Sequence, residues 1–485
     1  MISSPLPISQ PIRSPINRTL AVCVPLVLSW IYLLNGKLQW LKAEEQLLLT
    51  LLFGLCILPG MLFFAGHRLR IPVMPLWGIG YFALFGMPIL GNGTELEALD
   101  PHLISGALKL TVIGAACCLF AFYSPATLWI ESFVPPLRQP WDVSRAPKSG
   151  VLLCLLGMVT SYLSMTNVFP SALNQPLFLL SQSATMGTLT LFLLQLRGLL
   201  SLKLKIFLWG LVVPVLYLFG IGTGSVFNGV IVLAPLLFCY CAEKRRVPVL
   251  STLLVLIVFV IPFLGFKHEY RSYAWNQEGD TQVTASPLGR GLFFVDLVTK
   301  RLFEGGVESY SVALETAESR ASHLELLVDV MEQTPVFIPY WKGETYASLL
   351  WAFVPRFLYA DKPNKSVGQE FGHRYGILNE EDVTTSVNLP HQVVEMYVNF
   401  GSTGVVLGML LLGTLYRAIA VLLGRPASGE RSLIIGCTIC AVLLNLDGDF
   451  SLVFGGVLYC LVVLYTVSSL FHGNAPPPQK VAAVP

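Results

Sequence analysis

Charged residues are scarce in this sequence: only 12% of its 485 residues are Asp, Glu, Lys or Arg, whereas 54% are hydrophobic. A soluble protein needs a mostly polar surface, so this composition excludes an ordinary soluble fold. The ten cysteines lie in or beside apolar runs, and residues 267–390 contain none. This long polar segment therefore has no disulfide, and no Cys/His spacing typical of a zinc site is present.

Long apolar runs, by contrast, are abundant, and a membrane span requires about 20 predominantly apolar residues. The sequence therefore predicts an all-α polytopic membrane protein. The first run is short and lacks a clear small-residue cleavage site, so we interpret it as a retained span rather than a signal peptide. The twelve candidate spans are residues 20–35, 46–65, 73–91, 103–123, 150–168, 177–196, 204–221, 225–241, 248–266, 402–423, 432–446 and 452–471.

The positive charges follow an alternating pattern along these runs. With the N-terminus inside, the inside segments carry seventeen Lys or Arg, whereas the short outside loops carry only Lys37 and Lys42. Cytoplasmic loops are enriched in Lys and Arg, so this pattern predicts that both termini are cytoplasmic. The predicted parts are a membrane block of nine spans (1–266), a large external loop (267–390), a block of three spans (391–473) and a cytoplasmic tail (474–485).

The large external loop holds most of the remaining charge. Residues 267–390 contain eleven Lys or Arg and seventeen Asp or Glu, and a loop this long is usually functional. The stretch "SHLELLVDVMEQTP" predicts an amphipathic helix lying on the membrane or on the spans. The stretches "DLVTKRLFEGG" and "ESYSVALETAESR" predict two more short helices around a Gly-Gly pair.

One stretch of this loop, "FVPRFLYADKPNKSVGQEFGHRYG" (353–376), gathers cations that suit phosphate binding. The planar guanidinium of an arginine matches a phosphate with two hydrogen bonds. Arg356 follows Pro355 among apolar residues, which favours function, whereas lysines near a membrane surface also extend to lipid headgroups. Arg271, at the external end of span nine, is either a further phosphate ligand or an interfacial anchor. The candidate cations in the stretch are Arg356, Lys362, Lys365 and Arg374.

A polar stripe lies at the start of the tenth span. His391, Glu395 and Asn399 are spaced i, i+4, i+8 and so share one helix face, which usually faces protein or a watery cavity. The pKa of histidine lies near neutral pH, so His391 is the candidate general base, with Glu395 as the group that orients it. Alternatively, His391 is bonded to the backbone at a helix start. His373 is a second candidate base or a solvated loop residue.

Two further motifs have an ordinary explanation beside a functional one. "NLDGDF" places Asp447 and Asp449 where an Asp-x-Asp pair would bind a metal, although such a pair beside glycine is also a common turn. "GIGTGS" (220–225) suits either an anion-binding nest or a tight turn between two spans.

The residues 355–410 resemble a known family. "FVPRFLYADKP" is similar to the Pro-Arg-x-x-aromatic-x-x-Lys-Pro stretch of Wzy-type O-antigen polymerases, the oligosaccharide repeat-unit polymerases. "VVEMYVNFGSTGVVLGML" resembles the start of a late span in the same family, and His391 is placed similarly to a histidine of the related O-antigen ligases. Many relatives carry an arginine in a Gly-Ser-Arg turn near mid-chain, where this sequence has Val226.

The resemblance implies a GT-C-like glycosyltransferase of the bacterial inner membrane. Such an enzyme joins repeat units carried on undecaprenyl diphosphate into a cell-surface polysaccharide at the outer face of that membrane. It implies Arg356 and Arg271 at the diphosphate, with Arg374 or Lys362 assisting, and His391 as base with Glu395. His373 and Asn399 complete the expected substrate-binding set. We expect no metal, cofactor or nucleic acid, and as partners membrane lipid, a flippase and a chain-length regulator.

Two other functions remain open at this point. A ligase would use the same machinery to move a finished glycan to another acceptor. A transporter of polysaccharide or lipid would show ionisable residues inside its spans, and Lys109 is the main such residue here. No inverted repeat is visible in the sequence, which favours the polymerase.

Overall fold

The chain folds as a helical bundle in the computed structural model. Of the residues it describes, 83% are helical and none lies in a β-strand. The protein is therefore an all-α membrane protein, as the composition predicts. The described residues are 30, 38, 41–66, 68–90, 99–134, 142–166, 171–275, 286–319, 323–347, 349, 367–382, 391–445 and 448–471.

Within those residues the main helices follow in chain order. They are α1 Ala43–Phe64, α2 Val73–Phe85, α3 Pro101–Tyr123, α4 Ala146–Thr166, α5 Ser171–Leu196, α6 Leu202–Gly222, α7 Val226–Lys244, α8 Val249–Gly265, α9 Lys267–Trp275, α10 Pro287–Ser319, α11 His323–Gln333, α12 Val367–Arg374, α13 Gln392–Gly424, α14 Gly429–Leu443 and α15 Phe450–Phe471. Short helical turns lie at Met87–Leu90, Pro125–Thr127, Leu128–Phe133, Glu344–Tyr346 and Pro426–Ser428.

Seven helices in the described part are long and apolar enough to cross a membrane: α1, α3, α4, α5, α6, α13 and α15. The shorter apolar helices α2 and α8, together with α7 and α14, coincide with four other predicted spans. Of the first predicted span, 20–35, only residue 30 is among the described residues. The count of twelve spans and the GT-C-like architecture remain predictions.

Prolines shape two of the membrane helices. A π-helical segment, Leu208–Val212 in α6 and Leu256–Val260 in α8, precedes a proline in each case. Proline lacks the backbone N–H and its ring crowds the carbonyl one turn earlier, and a wider turn relieves that crowding. Both helices thus continue across Pro214 and Pro262.

One end of the bundle is held by ion pairs between loops that the charge pattern places on the same side. Arg197 Nε lies 3.0 Å from Glu243 Oε1 and Arg197 Nη1 lies 3.1 Å from Glu430 Oε1. Arg70 Nη2 lies 3.2 Å from the other oxygen of Glu243. The predicted alternation of loops therefore agrees with the packing, while the assignment of this end to the cytoplasm remains a prediction.

The segment between α8 and α13 packs onto the opposite end. Helix α11 is the predicted amphipathic helix, and it lies on the spans: it contacts α2, α3 and α13 and buries Leu324, Leu327 and Val328. Helix α10 contains the two predicted short helices, with a break at Gly306 (φ 55°, ψ −129°). Helices α10 and α11 are therefore part of the bundle.

A close approach of two helices fixes the position of α10. It packs on α6 and α8, and a Cβ added to Gly222 would lie 2.7 Å from Pro287 O. Only glycine fits there, since any side chain would force the two backbones apart. Arg301 Nε also donates to Glu269 Oε1 of α9 at 3.0 Å, which joins α10 to the end of α8.

Candidate functional site

The first turns of α13 are buried on every side. All residues from Gln392 to Asn399 are buried, and Glu395 and Asn399 have no exposed surface. A helix that is buried all round faces protein, and polar side chains of this kind avoid lipid. The predicted stripe therefore points into the protein at the mouth of a span.

Gly401 separates this buried part from the apolar span that follows. Its backbone (φ 64°, ψ −155°) is not helical and breaks α13 in two. A Cβ added there would lie 2.7 Å from the hydroxyl oxygen of Tyr340. Both the backbone and the space thus require glycine, which explains this part of the "NFGSTG" motif.

Glu395 joins three segments of the chain. Its Oε1 accepts a hydrogen bond from Thr345 Oγ1 (2.7 Å), and its Oε2 accepts one from the backbone N–H of Phe450 (2.7 Å). Thr345 belongs to the short helix Glu344–Tyr346, and Phe450 begins α15. Contrary to the expectation from sequence, the contacts of the carboxylate are with these groups and not with the ring of His391.

Asn399, one helical turn after Glu395 in α13, bonds to the segment that contains Thr345. Its Nδ2 donates to Thr345 Oγ1 (2.8 Å), and its Oδ1 accepts from the backbone N–H of Gly343 (2.8 Å). Its backbone carbonyl accepts from Lys342 N–H at 3.2 Å. Asn399 is therefore a scaffold for the residues before Thr345.

Those residues, Trp341 to Glu344, form a tight turn that we call the lysine turn. The N–H of Glu344 donates to the carbonyl of Trp341 at 3.1 Å. Both central residues have positive φ, 52° at Lys342 and 91° at Gly343, as in a type I′ turn. Sequence reasoning missed Lys342; the dipeptide Lys-Gly inside "YWKGETY" was the available signal.

Arg374 lies beside the lysine turn. Its guanidinium carbon is 4.0 Å from the centre of the Trp341 ring, and its Nη2 is 3.4 Å from Glu344 Oε2. The same nitrogen contacts Glu370, one helical turn earlier in α12. The structure thus brings three predicted residues, Arg374, Glu395 and Asn399, around one turn. His373 is the half-buried neighbour of Arg374.

His391 has the second of the two roles considered from the sequence. Its Nδ1 accepts a hydrogen bond from the N–H of Val393 (3.1 Å), which makes it the N-cap of α13. A neutral ring that accepts at Nδ1 carries its proton on Nε2, so this arrangement does not suit a base. The i, i+4 spacing misleads here because the N-cap is not helical (ψ 144°). The ring lies against Tyr81 and Phe85, with ring centres 5.3 and 5.0 Å away.

Arg271 anchors a turn between two membrane helices. Its Nε donates to the carbonyl of Gly224 at 2.9 Å, and Tyr270 donates its hydroxyl to the carbonyl of Gly222 at 2.8 Å. The "GIGTGS" stretch is thus a helix end followed by a tight turn, with Gly224 at φ 74°.

Asp449 directly precedes α15 and lies near Glu395. Its Oδ1 accepts from the N–H of Leu452 (2.8 Å), so Asp449 caps α15, and Asp447 lies outside the described residues. Burial raises the pKa of the Asp449 carboxyl above its usual range, and three backbone N–H groups oppose that effect. No group of three metal-binding side chains exists among the residues that the structure describes.

Three predicted cations cannot be placed. Arg356, Lys362 and Lys365 lie in 351–366, outside the described residues, so their roles remain predictions.

Comparison with known proteins gives one match. A family described as a domain of unknown function (DUF8712) matches residues 134–473, which include α4 to α15 and the whole candidate site. Neither a curated protein nor a solved structure matches the chain.

Proposed function

The chain belongs to the DUF8712 family, and from that starting point we propose that it is a membrane glycosyltransferase that polymerises lipid-diphosphate-linked oligosaccharide units outside the cell membrane. The supporting observation is the cluster at the mouth of α13. There a buried polar stripe holds a turn that carries Lys342 and contacts Arg374. Fixed cations and protected polar groups beside a membrane span suit a substrate that is part lipid and part sugar.

The cations have a defined task in this reaction. Negative charge develops on the diphosphate as it leaves the sugar, and prearranged cations stabilise that charge. We assign this task to Arg374, and we retain Arg356, Lys362 and Arg271 as further candidates from the sequence. Arg271 Nε donates to the carbonyl of Gly224, and the role of Arg271 at the diphosphate remains a prediction from the sequence.

The acceptor hydroxyl needs a base as it attacks. We assign this role to Asp449 because it is half-buried at the same end of the bundle, next to Phe450, whose N–H binds Glu395. Its raised pKa makes it a stronger base than an ordinary aspartate. Glu395 and Asn399 position the neighbouring segments, and His391 caps α13.

Replacing Asp449 with asparagine separates this role from helix capping. Asparagine keeps a capping oxygen for Leu452, so we expect a folded protein that makes no polymer. Because the folded pKa of Asp449 is raised, the protonated carboxyl stabilises the folded state. This contribution to stability is complete below about pH 3.8, the ordinary pKa of aspartate, and is lost as the pH rises through the folded pKa. Thermal midpoints from about pH 4 to about pH 8 should therefore fall more steeply for the native protein than for Asp449→Asn. Parallel pH curves, or normal polymer from the variant, would contradict the assignment.

His391 is tested by two substitutions. Asparagine caps helices well and alanine does not, so His391→Asn should keep both stability and polymer synthesis. His391→Ala should lose about 1 kcal/mol in the free energy of unfolding. If His391 is the base instead, both variants lose the polymer at normal protein levels.

The function itself is tested in a strain that lacks the gene. Glycan extracted from that strain should carry single repeat units, and the native gene should restore the ladder of longer chains on a gel. A ligase would leave full-length polymer on its lipid carrier. A transporter would move substrate across vesicles without polymer formation; the charge that favoured this alternative, Lys109, forms an ion pair of 2.7 Å with Glu44 near the start of α1.

A further inference from the structure

The lysine turn holds a lysine in a conformation that lysine disfavours. Lys342 has φ 52°, in the left-handed region where a Cβ is crowded by the backbone. Glycine or asparagine would occupy this position at lower cost. Strain of this kind persists only where the surroundings impose it, and it clusters at functional sites.

The surroundings of the turn do impose this conformation. Three successive N–H groups, of Trp341, Lys342 and Gly343, donate to Val398 O (3.1 Å), Asn399 O (3.2 Å) and Asn399 Oδ1 (2.8 Å). The turn is thus bound along the end of the buried part of α13, and its backbone cannot relax without losing these bonds.

Close packing on the break in α13 fixes the turn further. A Cβ on Gly343 would lie 3.1 Å from the ring of Phe400, and one on Gly401 would lie 2.7 Å from the hydroxyl of Tyr340. Gly343 within the turn and Tyr340 just before it therefore both pack against the break at Gly401. The turn is a rigid platform and not a loose loop.

The platform carries one cation, Lys342, and contacts a second, Arg374 of α12. The side chain of Lys342 is exposed and has no ion pair or hydrogen bond among the described residues. Arg374 lies over Trp341, a residue that is only 5% exposed, and Glu344 and Glu370 hold the guanidinium in place. One nitrogen, Nη2, makes both carboxylate contacts, so the plane of the guanidinium retains further donors.

We propose that Lys342 and Arg374 form a binding site for a phosphate-type oxyanion, and that the lysine turn exists to present Lys342 to it. An ammonium carried on a rigid turn and a guanidinium held beside that turn match a phosphate group, which accepts several charge-assisted hydrogen bonds. On the basis of the proposed function, we identify the oxyanion as the diphosphate of the lipid-linked donor. Lys342 then binds the leaving group directly, and Asn399 is a positioning residue.

The decisive variant is Lys342→Gly. Loss of the strained backbone should maintain or raise thermal stability, whereas loss of the ammonium should weaken oxyanion binding. Glycine accepts φ 52° freely, so the thermal midpoint of the full-length protein should equal or exceed that of the native protein. Loss of the ammonium should weaken the binding of inorganic pyrophosphate at least about tenfold, measured by calorimetry in nanodiscs of zwitterionic lipid. Lys342→Asn should behave in the same way, and Lys342→Arg should retain most of the affinity.

Lys300→Ala is the matched control, since Lys300 is an exposed lysine of α10 already paired with Asp296 at 2.7 Å. It should leave pyrophosphate binding unchanged. Repeating the titration in nanodiscs that contain phosphatidylglycerol distinguishes two sources of phosphate. If phosphatidylglycerol strongly weakens the binding of pyrophosphate to the native protein but not to Lys342→Gly, the site binds lipid headgroups. That result would overturn its assignment to the donor.

Failure of the inference differs from failure of the proposed function. If native protein does not bind pyrophosphate, or if Lys342→Gly binds it equally well, the oxyanion site is wrong even where the gene restores polymer. A lower thermal midpoint for both Lys342→Gly and Lys342→Asn would contradict the strain argument. If the site binds pyrophosphate but the gene restores no polymer, the site stands and the polymerase does not.

Discussion

Replacing Gly401 with alanine is expected to cost about 3 kcal/mol in the free energy of unfolding and to abolish function. The backbone at this position (φ 64°, ψ −155°) lies in a region that only glycine occupies readily. The added methyl group would also lie 2.7 Å from the hydroxyl of Tyr340. The strained break therefore straightens or Tyr340 moves, and either change disturbs the lysine turn.

Gly60→Ala is the matched control because Gly60 lies within α1 and an added Cβ has no neighbour within 4 Å. Alanine favours helix at such a site, so stability should be unchanged or rise by up to about 1 kcal/mol. Denaturation in mixed micelles measures both variants. A double variant, Gly401→Ala with Tyr340→Phe, should recover only the part of the lost free energy of unfolding that comes from the clash with the Tyr340 hydroxyl. Near-native stability of Gly401→Ala alone would refute the account of this break.

Glu395→Ala is expected to have a comparable effect, a loss of about 3 kcal/mol. The substitution removes the acceptor for the buried hydroxyl of Thr345 and for the partly buried N–H of Phe450. A buried donor without an acceptor retains its full desolvation cost. The segment 341–346 then loses one of its attachments to α13, so polymer synthesis should fall with stability.

Two comparisons make this second prediction specific. Glu395→Gln keeps a carbonyl oxygen for Phe450 N–H and should lose only about 1 kcal/mol. Glu332→Ala removes an exposed carboxylate from α11 and should change stability by less than about 0.5 kcal/mol. If alanine at 395 is tolerated as well as alanine at 332, Glu395 does not join the three segments in the way described.

The membrane helices follow from the sequence because their signal is local. Each run of about 20 apolar residues is sufficient by itself, and the charges between the runs fix which ends lie together. The contacts of Arg197 with Glu243 and Glu430 agree with that alternation. The position of α11 was only half predictable: its periodicity indicated an amphipathic helix, but not whether membrane or protein covers it.

The candidate site was predictable in part. The spacing of Glu395 and Asn399 indicated a shared face at the mouth of a span, and both do lie on one buried network. The same spacing failed for His391, because the residue that caps a helix does not follow the helical period. The partners of the stripe could not be inferred, since Thr345 and Phe450 lie about fifty residues away on either side.

Lys342 was missed for a different physical reason. A left-handed lysine arises from tertiary hydrogen bonds to Asn399, and no local pattern reports it. The Lys-Gly pair permits such a turn without requiring it. In this region the sequence shows which residues are present, but tertiary contacts determine which of them are held in one conformation.

The most direct test of the whole account is an assay of the full-length protein in nanodiscs with a lipid-diphosphate-linked repeat unit as its sole substrate. The native protein should produce a ladder of longer glycans on a gel, and Lys342→Gly, although folded with an equal or higher thermal midpoint, should produce little or none. Absence of a ladder from the native protein, or an undiminished ladder from Lys342→Gly, would contradict it.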